Sequence, residues 1–232
     1  MPSDGQLAVV TGTSSGIGRA IAQALLEGGW SVTGLDLAPA ALNHPRFRAV
    51  NVDLANAAAT DAAATQLAGA SAFVHAAGVL RVGLLGALQA EHAELMWKLH
   101  VAAAERLANA LLPAMAEMGH GRVVLVGSRV AQGKAGRSQY AATKAALNGM
   151  ARSWAAEVVG RGVTVNVVSP AATQTAMTED PARQAAAPVL PPIGRLIRPD
   201  EVAALVLFLL SPAAAAITGQ DIAICGGASL PR

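Results

Sequence analysis

Short, wholly apolar runs alternate with longer stretches of helical periodicity along this chain, and that alternation narrows its fold more than any other feature. Leu7–Val10, Ser31–Leu35, Ala49–Val52, Ala72–His75, Arg122–Val126, Val163–Val168 and Asp221–Ile224 read as strands. Between them Ile17–Leu26, Asn56–Leu67, Glu91–Met118, Ser138–Val159 and Asp200–Leu210 read as helices, the third bending late, at Pro113. A strand that is apolar on both faces must be covered on both sides, and a helix between successive strands makes them parallel. The expectation is an α/β fold: one doubly wound domain over residues 1–232, with a seven-stranded parallel sheet flanked by helices. Ligands of such sheets lie beyond the carboxyl ends of the strands.

Composition supports that expectation and closes off other classes. A chain of 232 residues, 53% hydrophobic and 14% charged, can fill one sizeable core and does not have the makeup of a disordered protein. Its net charge is +2 and its basic residues are scattered, whereas a nucleic-acid surface needs them clustered. Cys225 is the only cysteine, so it forms no internal disulfide or cysteine-based metal site and reads as a buried structural thiol. The first residues lack the basic and apolar regions of a signal peptide, and the apolar run Val202–Leu210 is too short to span a bilayer. The expected setting is the cytosol, with no nucleic-acid, membrane or metal partner. Residues 171–198 lack periodicity and contain Pro181, Pro188, Pro191 and Pro192, which suits a substrate-binding loop or lid.

After the first strand comes Thr11-Gly12-Thr13-Ser14-Ser15-Gly16-Ile17-Gly18, and then a helix. Glycines suit a tight turn, a close approach to a pyrophosphate and a close helix–sheet contact. The helix start offers free amides and the positive end of its dipole. Gly12, Ser14, Ser15, Gly16, Ile17 and Gly18 are therefore candidate cofactor-binding residues of a Rossmann fold, the alternative being a plain strand-to-helix turn. The second strand runs to Asp36, eighteen residues past Gly18, where a carboxylate accepts ribose hydroxyls and repels a 2′-phosphate. Neither Ser15 nor Leu37 supplies a cation for such a phosphate, so NAD is favoured over NADP. The alternative for Asp36 is a turn cap.

Tyr140 and Lys144 stand four residues apart in a helical stretch and share a face. A free tyrosine has a pKa of about 10, and an adjacent ammonium lowers it toward the working range by stabilising the phenolate. Tyr140 is the only tyrosine in the chain. Ser128, twelve residues earlier at the end of the fifth strand, can hold a carbonyl or alcohol oxygen beside it. Bare, the Tyr-Lys spacing is common and fits an amphipathic helix equally well; the company of Ser128 gives it weight.

From Thr11 to Gly227 the chain resembles the short-chain dehydrogenases/reductases in their compact single-domain form. Thr11–Gly18 looks like the family's T-G-x-x-x-G-x-G, and Asp53-Leu54 is similar to its adenine-contacting pair. His75-Ala76-Ala77-Gly78 stands where the family has N-N-A-G, and Ser128, Tyr140 and Lys144 match its active-site trio. Asn166 and Ser169-Pro170-Ala171 sit at its N-x-x-x-P-G, while Ile217–Gln220 and Gly226-Gly227 resemble its C-terminal signature.

The resemblance implies hydride transfer between NAD and a carbinol or carbonyl carbon. Tyr140 would be acid or base, Ser128 would orient the oxygen, and Lys144 would bind ribose and tune Tyr140. Asp53, Leu54, Ala76, Ala77, Gly78, Pro170, Ala171, Thr173 and Thr175 would join the cofactor site, Thr175 at the carboxamide. It also implies a homotetramer, with a dimer second. His100 occupies the place of an asparagine whose backbone carbonyl holds a relay water, so His100 either keeps that backbone role, titrates near neutrality itself, or is a satisfied buried histidine. Three readings follow: an NAD-dependent dehydrogenase or reductase of a small secondary alcohol or ketone; a 3-oxoacyl-thioester reductase, a class that usually prefers NADP; or a non-catalytic NAD-binding scaffold. Arg183, Arg195 and Arg198 are candidate contacts for an anionic group, and Met177, Val189, Leu190, Ile193 and Leu196 for an apolar lid.

Overall fold

The computed structural model describes residues 6–179 and 189–230. In chain order it has β1 (Leu7–Thr11), α1 (Gly16–Glu27), β2 (Ser31–Asp36), β3 (Phe47–Asn51), α2 (Ala57–Ala64), β4 (Ala72–His75) and α3 (Ala90–Trp97). Then come α4 (Ala103–Glu117), β5 (Gly121–Val126), α5 (Ser138–Val158), β6 (Val163–Pro170), α6 (Ala176–Glu179), α7 (Pro199–Leu210) and β7 (Asp221–Ile224). All seven strands lie in one sheet, ordered β3-β2-β1-β4-β5-β6-β7, and every pairing is parallel. This is the doubly wound arrangement expected from the alternation.

The apolar strands are explained by two core layers, one on each face. Val9 faces the layer formed with Leu107, Leu111 and Met115 of α4 and Leu147 and Ala151 of α5. Its neighbours Ala8 and Val10 face the opposite layer, with Ile21 and Leu25 of α1 and Val202, Val206 and Leu209 of α7. Successive side chains of a strand point to opposite faces, so a sheet covered twice needs an apolar residue at each position. The edge strand β3 starts two residues earlier than its apolar run, because backbone pairing with β2 (Val32 opposite Phe47) sets its limits. Helix α2 is shorter than its Ala-rich stretch: the Asn56 side chain accepts from the Ala59 N–H at 3.1 Å and starts it, and the helix closes at Thr65.

The stretch Glu91–Met118 is broken around His100, the position of the family's relay asparagine, and not at Pro113, where its pattern placed a bend. A π turn, Lys98–Ala102, separates α3 from α4, whereas Pro113 lies inside an uninterrupted α4. A side chain from another element meets the ladder at this break. His75 Nε2 lies 3.1 Å from the Leu99 carbonyl oxygen and takes it as a hydrogen-bond acceptor, and such an insertion into the helical ladder loosens a turn. Cys225 is half-buried beyond β7 rather than in the core, with its pKa lowered chiefly by a hydrogen bond to the Ser229 side chain. Among the described residues, no helix is long and apolar enough to cross a membrane, and no cluster of His, Cys, Asp and Glu could hold a metal ion.

Candidate active site

The strand order reverses between β1 and β4, and this is where the ends of several strands open into a crevice. The turn after β1, the His75–Gly78 segment after β4, Ser128 after β5 and Pro170 at the end of β6 all stand at carboxyl ends. The crevice has two adjoining parts, and Ile17, Ala76, Gly78, Thr175 and Met177 line both.

The first part, a groove of about 450 Å³, is lined by Gly12, Ser15, Gly16, Gly18, Asp36, Asp53, Leu54 and Ala77 as well as the shared residues. Gly16 has φ +53, a backbone state that favours glycine, and a Cβ on Gly18 would overlap the Gly12 carbonyl oxygen. Ser15 stands at the N-cap of α1 without a side-chain cap, so the opening amides of a twelve-residue helix face the groove. Asp36 Oδ2 accepts the Ser14 N–H and Oδ1 the Ala38 N–H, both at 2.9 Å. Asp36 thus caps a turn and also faces the groove. Ser14 is spent on that bond and on the Ala38 carbonyl, and does not line the groove. A glycine cradle, unpaired helix amides and a carboxylate at the end of β2 fit a dinucleotide.

A hydroxyl organises the β1–β4 junction. Thr11 Oγ1 accepts the Ala76 and Ala77 N–H groups at 3.0 and 2.9 Å, so its own proton goes to His75 Nδ1 at 3.1 Å. His75 must then carry its proton on Nε2, the atom that donates to Leu99. Burial, followed by the Lys144 charge, lowers its pKa to about 3, which keeps the ring neutral.

His100 lies in the π turn and is fully buried. Its Nε2 accepts the Val79 N–H at 3.0 Å, which places the ring proton on Nδ1, 2.9 Å from Thr143 Oγ1. Thr143 in turn donates to the Tyr140 carbonyl at 2.9 Å. The His100 ring also meets the Tyr140 ring edge-on, with centroids 5.6 Å apart. Burial first, then Lys144, pushes its pKa well below 6.5, so titration near neutrality does not describe this ring.

Lys144 is buried, and its Nζ donates to the Val126 carbonyl at 2.8 Å and sits 5.9 Å from the centre of the Tyr140 ring. Desolvation lowers its pKa to about 8. Ser128 Oγ accepts the Val130 N–H at 3.2 Å, leaving its own hydrogen to donate elsewhere. Ser128, Tyr140 and Lys144 line the second part of the crevice together with Pro170, Ala171, Thr173 and Thr175.

The 171–198 segment is pinned at both ends, by Gln174 N–H to the Ile197 carbonyl (2.8 Å) and by Ile193 N–H to the Gly226 carbonyl (3.1 Å). Met177, Val189 and Leu190 line the cavity, whereas Ile193 and Leu196 do not. Arg195 and Arg198 point elsewhere: Arg195 forms a bidentate pair with Glu201 at 2.7 and 2.8 Å, and Arg198 pairs with Asp200 at 3.1 Å. Pro181, Arg183 and Pro188 lie outside the described residues. Besides Lys144, the cations among the described residues lining the cavity are Arg129, Lys134 and Arg137, none of which the sequence motifs single out. The only sequence signal for them is their position between Ser128 and Tyr140. Thr143 is likewise absent from the motifs, although it sits inside the Tyr140–Lys144 spacing.

A doubly wound parallel sheet whose β1 turn fits a dinucleotide, with a serine, a tyrosine and a lysine around the adjoining cavity, defines a class of nicotinamide-dependent oxidoreductases. A family model described as enoyl-(acyl carrier protein) reductase matches residues 12–229. A 3-oxoacyl-(acyl-carrier-protein) reductase of Vibrio cholerae is 36% identical, covering 98% of each chain. The 2,3-dihydro-2,3-dihydroxybenzoate dehydrogenase of Escherichia coli is 35% identical, covering 99% of each. A solved structure described as a short chain dehydrogenase/reductase family protein superimposes with a TM-score of 0.87 at 31% identity, covering 98% of each chain. The chain belongs to the short-chain dehydrogenase/reductase family, whose members are oxidoreductases that use a nicotinamide cofactor.

Proposed function

We propose that this chain is a reductase of a 3-oxoacyl thioester, with Tyr140 as the proton donor. The observation that carries the chemistry is the buried Lys144 ammonium, 5.9 Å from the centre of the only phenol in the chain. The thioester is supported by relatives named 3-oxoacyl-(acyl-carrier-protein) reductases, among them one of Vibrio harveyi at 38% identity.

A reduced nicotinamide held by the groove residues would supply the hydride that the carbonyl carbon takes up. As the carbonyl electrons move onto oxygen, that oxygen takes the Tyr140 proton, and the phenolate left behind is stabilised by Lys144. Ser128 donates its hydroxyl hydrogen to the same oxygen, a role open to it because its lone pair already holds the Val130 N–H. His100 is a positioning residue that holds the Tyr140 ring and, through Thr143, its backbone. The groove residues from Gly12 to Gly18, with Asp36, Asp53 and Leu54, would hold the dinucleotide, and Lys144 the ribose beside the ring.

Asp36 favours NAD(H), since a 2′-phosphate beside it meets a like charge without a compensating cation from Ser15 or Leu37. It equally supports a second reading, oxidation of a small secondary alcohol with NAD. We also infer a homotetramer built on the helices at 90–117 and 138–158, where Trp97 of α3 is 50% exposed. The decisive assay follows NADH and NADPH oxidation with acetoacetyl thioesters, in wild type and Tyr140→Phe. Wild type turns over, and the variant binds cofactor but retains at most a few per cent of the rate, on the order of a 10²-fold loss or more. Equal rates in the two proteins would sink the assignment.

A further inference from the structure

We propose that His75 is a positioning residue for the proton transfer at Tyr140, acting on it through the π turn and His100. This rests on the proposed function, in which Tyr140 is the proton donor. His75 is fully buried in β4 and takes no part in the steps derived for Tyr140, Ser128 and Lys144. Both of its ring nitrogens are engaged. Nδ1 accepts the Thr11 hydroxyl proton at 3.1 Å, and Nε2 donates to the Leu99 carbonyl at 3.1 Å.

The second of these bonds leads to the reacting phenol. The Leu99 carbonyl belongs to the planar peptide unit that ends at His100, so holding it fixes the backbone from which the His100 ring departs. The segment is a π turn, rarer than the α-helical turns on either side of it, and such turns recur at functional sites. From there the contacts run directly to Tyr140. His100 Nδ1–H donates to Thr143 Oγ1 at 2.9 Å, Thr143 donates to the Tyr140 carbonyl at 2.9 Å, and the two rings meet edge-on at 5.6 Å. On its other side His100 Nε2 takes the Val79 N–H at 3.0 Å. A Cβ added to Gly78 would lie 3.0 Å from that nitrogen and 3.7 Å from Lys144 Nζ, so the ring also stands close to the ammonium that tunes the phenol. The path thus joins the strand that carries the cofactor turn to the helix that carries the acid, and His75 is its first link.

Substitutions at 75 separate this role from plain support of the sheet. Asparagine ends level with Nδ1, so it can still take the Thr11 proton but falls short of Leu99, whereas glutamine carries an amide N–H out to the level of Nε2. His75→Asn should therefore lower kcat with an acetoacetyl thioester about tenfold, with KM for NADH within about twofold of wild type, and His75→Gln should recover most of the loss. His100→Asn should cost a similar factor. The double variant should lose no more than about twentyfold, because both act along one path, whereas independent roles would multiply to about a hundredfold. Tyr140 is the only tyrosine, so in carbon NMR its ring carbon Cζ gives a single tyrosine signal, readable without substrate or cofactor. That signal should move in His75→Asn and return in His75→Gln. Should His75→Asn fail to fold, Thr143→Val cuts the same path without touching β4, and should move the signal and lower kcat alike. A signal that stays in place in the folded variant, or losses that multiply, overturns the proposal, while turnover by wild type leaves the reductase standing. A signal that moves in a protein that turns over no thioester or ketone would sink the reductase and keep the link from His75 to Tyr140.

Discussion

Replacing Lys144 with methionine should stabilise the cofactor-free protein at neutral pH while removing its activity. The Lys144 side chain is buried, and desolvation lowers its pKa from 10.5 to about 8. At about 1.4 kcal/mol per unit, the native state bears a charge that costs it on the order of 3 kcal/mol while Lys144 is protonated. Below pH 8 both native and unfolded chains hold the proton and the full cost is present. Between pH 8 and 10.5 the unfolded chain still holds it while the native chain has lost it, so raising the pH stabilises wild type. Methionine titrates nowhere, and it fills a similar volume without the charge. It does forfeit the 2.8 Å bond to the Val126 carbonyl, worth about 1–2 kcal/mol. The variant should therefore be more stable than wild type at pH 7 by about 1–2 kcal/mol, and the difference should shift by about 3 kcal/mol toward wild type by pH 10.5. Urea unfolding of the two cofactor-free proteins at matched concentration, at pH 7, 9 and 10.5, measures this directly. Groups titrating in that window away from Lys144 are common to both proteins and cancel, and making the comparison in a Tyr140→Phe background removes the phenol that Lys144 tunes. A stability difference that does not move with pH would refute the reasoning.

The buried histidines predict the opposite limb. His75 is held neutral with a pKa near 3 and His100 well below 6.5, so their contribution is present above pH 6.5 and is lost as pH falls below it. The slope should approach about 1.4 kcal/mol per pH unit for each ring, and His75→Asn should flatten it; urea midpoints unchanged from pH 6.5 to 4.5 would contradict the neutral tautomers of both rings. Asp36→Asn keeps one acceptor for the turn and removes the charge, so kcat/KM with NADPH should rise by about tenfold relative to NADH; an unchanged ratio would clear Asp36 of any part in cofactor choice. Light scattering at micromolar concentration should report four copies, and a monomer would overturn the proposed association.

Much of the fold was legible because local pattern and global topology agree. Each apolar run from Leu7–Val10 onward needed covering on both faces, and the helices between them left little but a doubly wound sheet. The glycine turn, Asp36 and the Ser128, Tyr140 and Lys144 positions were legible for a related reason: each is defined by short spacings at the end of a strand or along one helix. The less legible features all involve residues distant in sequence. The break at Lys98–Ala102 lies against a histidine in β4, and Pro113, the local suspect, leaves α4 unbroken. The cavity cations Arg129, Lys134 and Arg137 carry no periodic signal, while Arg195 and Arg198 look equally available in the sequence and are held by Glu201 and Asp200.

By itself, then, the sequence determined the layered architecture, the turn that fits a dinucleotide and the identity of the one phenol able to act as acid or base. These follow from hydrophobic periodicity and from backbone geometry within a few residues. Tertiary structure alone decided the charge state of the groups around that phenol. Lys144 is poised near pH 8 because burial raises the cost of its charge, and His75 and His100 are neutral because burial and then the nearby Lys144 charge do the same to theirs, none of which any spacing encodes.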